Sequence, residues 1–147
     1  LLYINSWRMN LKKNSILLSL IFLFFSQICF AEIKVINNIE VKDLISKGVP
    51  LIDIRSPIEW KETGVIEGSH LITFFNDKGK VNLDHWYVNF NIVADKSKPF
   101  ILICASGVRS KFASFILSNQ FSFPKIYDAS EGISGWLKQG QPVIKSY

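Results

Sequence analysis

From residue 32 onward, apolar positions switch repeatedly between a spacing of two and a spacing of three to four. Ile33-Lys34-Val35-Ile36 alternates as a short strand. Val41, Leu44 and Ile45 then form an i, i+3, i+4 stripe, which predicts a helix over 39–47 with Asn38 as its cap and Gly48 as its stop. Residues 50–55, Pro50-Leu51-Ile52-Asp53-Ile54-Arg55, are apolar enough for a strand buried on both faces. Ser56 and Pro57 mark a helix start, Glu59 falls in its first turn, and Gly64 closes it. A short strand over 70–74 lies between turns at Gly68 and at 76–79. Residues 83–94 form a helix whose apolar face (Trp86, Val88, Phe90, Val93) is imperfect. Pro99 introduces the apolar run 100–103, and helical character resumes after Ser110 to about Asn119. A strand over 125–128 and a short helix over 132–137 follow, before Gly140-Gln141-Pro142 turns the chain out.

Strands separated by helices predict an α/β fold in three layers, a mostly parallel central sheet with helices on both faces. Sites in such sheets form beyond the carboxyl ends of the strands. Cys104 falls at such an end, directly after Phe100-Ile101-Leu102-Ile103. The turn Ala105-Ser106-Gly107-Val108-Arg109 and then Ser110 carry the chain into the next helix. A helix N-terminus presents unpaired N–H groups and about half a positive charge, a setting that favours the nucleophilic thiolate. Gly107 lets the turn curl its N–H groups inward as an anion-binding nest.

A length of 147 residues bounds the chain to one ordinary domain, here assigned to 32–147. The hydrophobic share of 48% is unevenly placed, because much of it lies in the run 16–25. Lys12-Lys13 before that run and Ala31 after it predict a secretory signal peptide over 9–31, cleaved after Ala31, and hence an exported, periplasmic protein. The run is short of the ~20 residues of a transmembrane helix, so contact with a membrane is expected only through an uncleaved leader. Residues 1–8 precede the sole methionine, Met9, which is a natural start for the leader, and are read as not native. Removing 1–31 takes away Arg8, Lys12 and Lys13 and no acid, which lowers the net charge from +5 to +2. No basic patch with interleaved aromatics remains, and no nucleic-acid partner is expected. Cys29 also leaves, so Cys104 has no partner for an internal disulfide and is either a buried bystander or a working thiol. His70 and His85 lack metal-ligand spacing with it, and neither metal nor other cofactor is expected.

Four stretches together resemble the rhodanese domain, the sulfurtransferase fold. Leu51-Ile52-Asp53-Ile54-Arg55-Ser56 is similar to its "DVR" strand, and Glu59-Trp60 through Gly68-Ser69 to the segment after it. Cys104 to Ser110 resembles its C-x-x-G-x-R-S loop, and Glu131-Gly132 through Trp136 to Pro142-Val143 its ending. The likeness runs in order over most of 33–145 and departs at Val65, where the family usually carries histidine. With its leader, the chain looks most like the small single-domain periplasmic members of the phage-shock protein E type.

The resemblance implies a two-step transfer of sulfane sulfur through a Cys104 persulfide, from thiosulfate or a persulfide donor to a thiol or other thiophilic acceptor. Its loop of six residues, Cys104 to Arg109, is the sulfurtransferase length; the related phosphatases have one residue more. N–H groups of Ala105, Ser106, Gly107, Val108, Arg109 and Ser110 would stabilise the anionic persulfide. Arg109 either holds the donor through its planar fork or turns back to pair with Asp53 or Glu131. Asp53 and Arg55 read as supports at the strand end, Ser106 and Ser110 as donors to the persulfide, with Ser110 equally suited to cap the helix. Trp136 reads as core packing, and Trp60 as packing or as lining a pocket mouth. The rivals are a partner-binding module without catalysis, a persulfide carrier, and a thiol redox protein, the last disfavoured for want of C-x-x-C.

Overall fold

A computed structural model describes residues 31–121 and 123–146; the leader, apart from Ala31, lies outside them. Five strands and five helices alternate. They are β1 (Glu32–Ile36), α1 (Asn38–Ser46), β2 (Leu51–Asp53), α2 (Pro57–Thr63), β3 (His70–Leu71), α3 (Leu83–Val93), β4 (Phe100–Ile103), α4 (Val108–Gln120), β5 (Lys125–Ala129) and α5 (Gly132–Lys138). The strands form one sheet in the order β1-β5-β4-β2-β3, every named pair parallel, as crossover helices require. β4 sits at its centre, and all four of its residues are buried. The expected α/β architecture is therefore present.

The two faces of the sheet bury separate apolar clusters. Ile52, Phe100, Leu102 and Ile126 pack with Trp86, Phe90, Ala113 and Leu117 of α3 and α4. Ile101, Ile103, Ile36 and Ala129 pack with Val41 of α1 and with Ile133 and Trp136 of α5. Alternation along β4 thus feeds both clusters, the reason a central strand reads as a continuous apolar run. Trp86 stacks on Phe90, and Phe90 meets Phe100 and Phe123 edge-on, in the geometry that aromatic quadrupoles favour.

Local differences from the sequence reading are small and physical. Asn37, not Asn38, caps α1, accepting from Glu40 N in a reciprocal capping box; Asn38 is the first helical residue and is buried. β2 and β3 are shorter than expected, because Ile54 and Ile72 pass the sheet on single hydrogen bonds to Ile103 and Asp53 without laddering. In α3, Trp86 and Phe90 are buried and Val93 is half-buried against the same cluster, while Val88 faces out, so three of the four stripe positions serve the core. Val65 is buried and exchanges both backbone hydrogen bonds with Ile144.

Candidate active site

Cys104, the candidate nucleophile, is delivered by β4 and its loop is locked by two glycines. Cys104 follows the last residue of β4 and is 1% exposed. Gly107, with φ 85°, is the N-cap of α4 and donates its N–H to Cys104 Sγ at 3.2 Å. A Cβ on Gly107 would land on the Ser130 carbonyl. Gly132, with φ 57°, approaches so closely that a Cβ there would sit 2.5 Å from Ala105 O. Only a residue without Cβ fits either place. The loop carbonyls are also used: Cys104 O accepts from Ile133 N and Ala105 O from Ser134 N, each at 2.9 Å. The start of α5 therefore forms the rear wall of the loop.

Ser110, fully buried in the first turn of α4, stands on the other side of the sulfur. Its Oγ lies 3.6 Å from Cys104 Sγ and donates to Gly107 O at 3.1 Å. Ser106 and Val108 face solvent, and Ala105 and Arg109 are half-buried.

Arg109 does not pair with Asp53 or Glu131, the two partners expected for it. It makes a two-pronged pair with Glu59 of α2: NH1 donates to Oε2 at 2.9 Å, and NH2 to Oε1. Asp53 is already taken by Arg55, and Glu131 accepts from Asn38 N and Gln139 Nε2. The Arg109 guanidinium holds the Glu59 carboxyl down at about 2, against the opposing effect of burial, with Ser56 hydrogen bonds helping. The same pair pushes Arg109 above its ordinary value. Glu59 also accepts from Ser56 N and Oγ, so one carboxylate closes the N-terminus of α2 and fastens the loop arginine.

Asp53 and Arg55 lie beneath this layer, each 1% exposed. Arg55 Nε and NH2 reach the Asp53 carboxylate at 3.0 and 2.7 Å. The remaining N–H groups go to Thr63 Oγ1 at 2.6 Å and Gly64 O at 2.8 Å. The pair thus ties the end of β2 to the end of α2, which carries Glu59.

The sequence places Glu59 in the first turn of a helix and in a stretch that resembles the family, without a partner for it, and offers Asp128 no role beyond its strand. Asp128 is 2% exposed, on β5, which lies between β1 and β4. Burial pushes its carboxyl above the ordinary range, while the Ser110 hydroxyl and the Lys111 charge pull the other way. A charged residue two positions from Ile126 in a buried strand was the available signal.

Trp136 packs in the core and donates from Nε1 to Pro142 O at 2.9 Å. Trp60 is buried and lines a cavity of about 670 Å³ shared by His70 and His85 at the β3 edge of the sheet, away from Cys104. Among the described residues, no group of three or more His, Cys, Asp or Glu is placed to hold a metal ion.

A family model described as the rhodanese-like domain matches residues 37–139. No curated protein matches the chain. Among solved structures, Rv0390 from M. tuberculosis is similar with a TM-score of 0.65 at 20% identity, over 79% of this chain and 100% of that one. A rhodanese-like domain protein from Staphylococcus aureus gives 0.55 at 25% identity, over 76% and 99%. The polysulfide-sulfur transferase homodimer from Wolinella succinogenes gives 0.59 at 21% identity, over 78% and 80%.

Proposed function

Because the chain belongs to the rhodanese-like domain family, we propose that it is a sulfurtransferase whose sulfur carrier is Cys104. The observation that carries this reading is the buried Cys104 sulfur, held by the Gly107 N–H in a loop of cysteine-to-arginine length six. In the first step the Cys104 thiolate attacks the outer sulfur of thiosulfate or of a persulfide. The donor's S–S bond breaks, and sulfite or a thiolate departs with the bonding pair. Cys104 then bears a persulfide anion beside the Gly107 N–H and the Ser110 hydroxyl, fixed dipoles of the kind that stabilise developing anions. In the second step a thiolate or other soft nucleophile attacks the outer sulfur and restores the Cys104 thiolate, with no external oxidant or reductant. Arg109 is clamped to Glu59, so its charge is largely offset and its main work is to hold the loop. A small donor anion then meets a nearly neutral mouth, which suits persulfides as well as thiosulfate. The basic and apolar pattern of residues 12–25 supports export and a periplasmic site of action.

The test is thiosulfate-dependent thiocyanate formation by the protein and by Cys104→Ser. Activity in the first and none in the second is expected. If neither forms thiocyanate, and Cys104 gains no sulfur atom by mass spectrometry after exposure to polysulfide, the reading is wrong and partner binding replaces it.

A further inference from the structure

The cavity at the outer edge of β3 has a wall of one chemical character. It encloses about 670 Å³ and is lined from both β3 and α3, and no residue of the Cys104 loop lines it. That volume is in the range of small-molecule sites. β3 ends the sheet and pairs only with β2. Ile72 N and Phe74 N donate inward to Asp53 O and Ile54 O, while the Thr73 N–H between them has no backbone acceptor among the described residues. Asn76 Oδ1 accepts from Lys78 N and Lys80 N, and Asn82 Oδ1 accepts from His85 N. Both amides line the cavity with their oxygens committed to the backbone and their NH2 groups left to offer. Asn89, whose NH2 is given to His85 O, offers an amide oxygen instead. The indole N–H of Trp60, another lining residue, is buried without a partner among the described residues. Lys80 is exposed and brings a positive charge to the wall, and no Asp or Glu lines it. Asp77 and Asp84, the acids nearest to these residues in sequence, are not part of the wall. Beside the donors, Leu71, Ile72, Phe74 and Ile92 supply apolar surface.

We propose that this cavity binds a small organic anion, an acidic head group on an apolar body. The head meets Lys80 and the amide donors of Asn76 and Asn82, and the body lies over Ile72, Phe74 and Ile92. A wall with surplus N–H donors, a cation and no carboxylate favours an anion over a neutral or cationic ligand, since hydrogen bonds to a charged acceptor are the stronger ones. The apolar part contributes in proportion to the surface it covers, so an inorganic anion, which covers none, gains little here. The site is separate from sulfur transfer: it uses no residue of the Cys104 loop, and its occupancy is read without thiocyanate formation.

The experiment is a fluorescence titration of the protein with anilinonaphthalene sulfonate and with N-phenylnaphthylamine, the same rings without the sulfonate. Wild type, Lys80→Gln, Ile92→Glu and Phe115→Ser are compared, each checked for a cooperative thermal transition. Lys80 is exposed and Ile92 is 76% exposed, so neither wall substitution disturbs the core. The sulfonate is expected to saturate a single site and to bind about tenfold more tightly than the neutral rings. Lys80→Gln should weaken the sulfonate roughly two- to fivefold and leave the neutral rings unchanged. Ile92→Glu, which adds a carboxylate to the wall, should weaken the sulfonate at least as much. Phe115→Ser, on the exposed side of α4, should leave its binding unchanged. Equal affinity for the two probes overturns the proposal. Binding of the sulfonate that survives both wall substitutions, or that is lost in Phe115→Ser, overturns it as well.

Discussion

Replacing Glu59 with glutamine removes the charge from the Arg109 clamp while keeping its shape. Glutamine also serves at the third position of a capping box, so the closure of α2 by Ser56 survives. The Glu59 carboxyl is lowered from 4.5 to about 2 in the fold. Linkage converts that depression to about 3.4 kcal/mol of stability at neutral pH as an upper bound. The Arg109 and Glu59 side chains are 34% and 28% exposed, so solvent screening reduces the expected value to roughly 1–2 kcal/mol. A depressed carboxyl contributes above its unfolded value and loses that contribution as the pH falls toward its folded value. The gap between wild type and Glu59→Gln in urea unfolding should thus be full at pH 7, begin to close near 4.5 and be nearly gone at about 2. A gap that stays constant across that window would refute the assignment of the stability to the ion pair.

Arg55→Leu should cost about 3–5 kcal/mol in urea unfolding, because it strands the Asp53 carboxylate in the core. Adding Asp53→Leu should recover part of that loss, and a double variant no better than the single would argue against stranded charge as the cause. Gly107→Ala should abolish thiocyanate formation while leaving a cooperative thermal transition, since the Cβ must displace the Ser130 carbonyl and with it the N–H bonded to sulfur. Retained activity in that variant would show that the Gly107 N–H is dispensable.

What the sequence disclosed and what it withheld divide along sequence separation. The run 100–103, its cysteine and the glycine before α4 are contiguous, so their spacing alone places a thiol at the carboxyl end of a central strand. Ser56, Pro57 and Glu59 likewise announce α2 within four residues. The partner of Arg109 was out of reach because Glu59 lies 50 residues away in sequence. Asp53, Glu59 and Glu131 were all chemically suitable, and only packing decides among them. Asp128 was passed over because a lone acid at a strand end is usually solvated; the register with Leu102 is what encloses it. The cap of α1 moved by one residue for a simpler reason, since Asn37 and Asn38 have equal cap propensity and the reciprocal bond from Glu40 selects the first.

The wall that Ser130, Gly132, Ile133 and Ser134 provide for the loop also has a meaning in time. Gly107 lies against Ser130 and Gly132 against Ala105, yet these paired segments are made apart. On a ribosome adding ~5–20 residues per second, synthesis of the wall follows that of the cysteine by roughly one to six seconds. Until then the Cys104 loop lacks the carbonyl and N–H partners that the start of α5 gives it. The cradle around the sulfur is therefore completed late, as the chain closes, and a nascent or unfolded copy holds Cys104 without it.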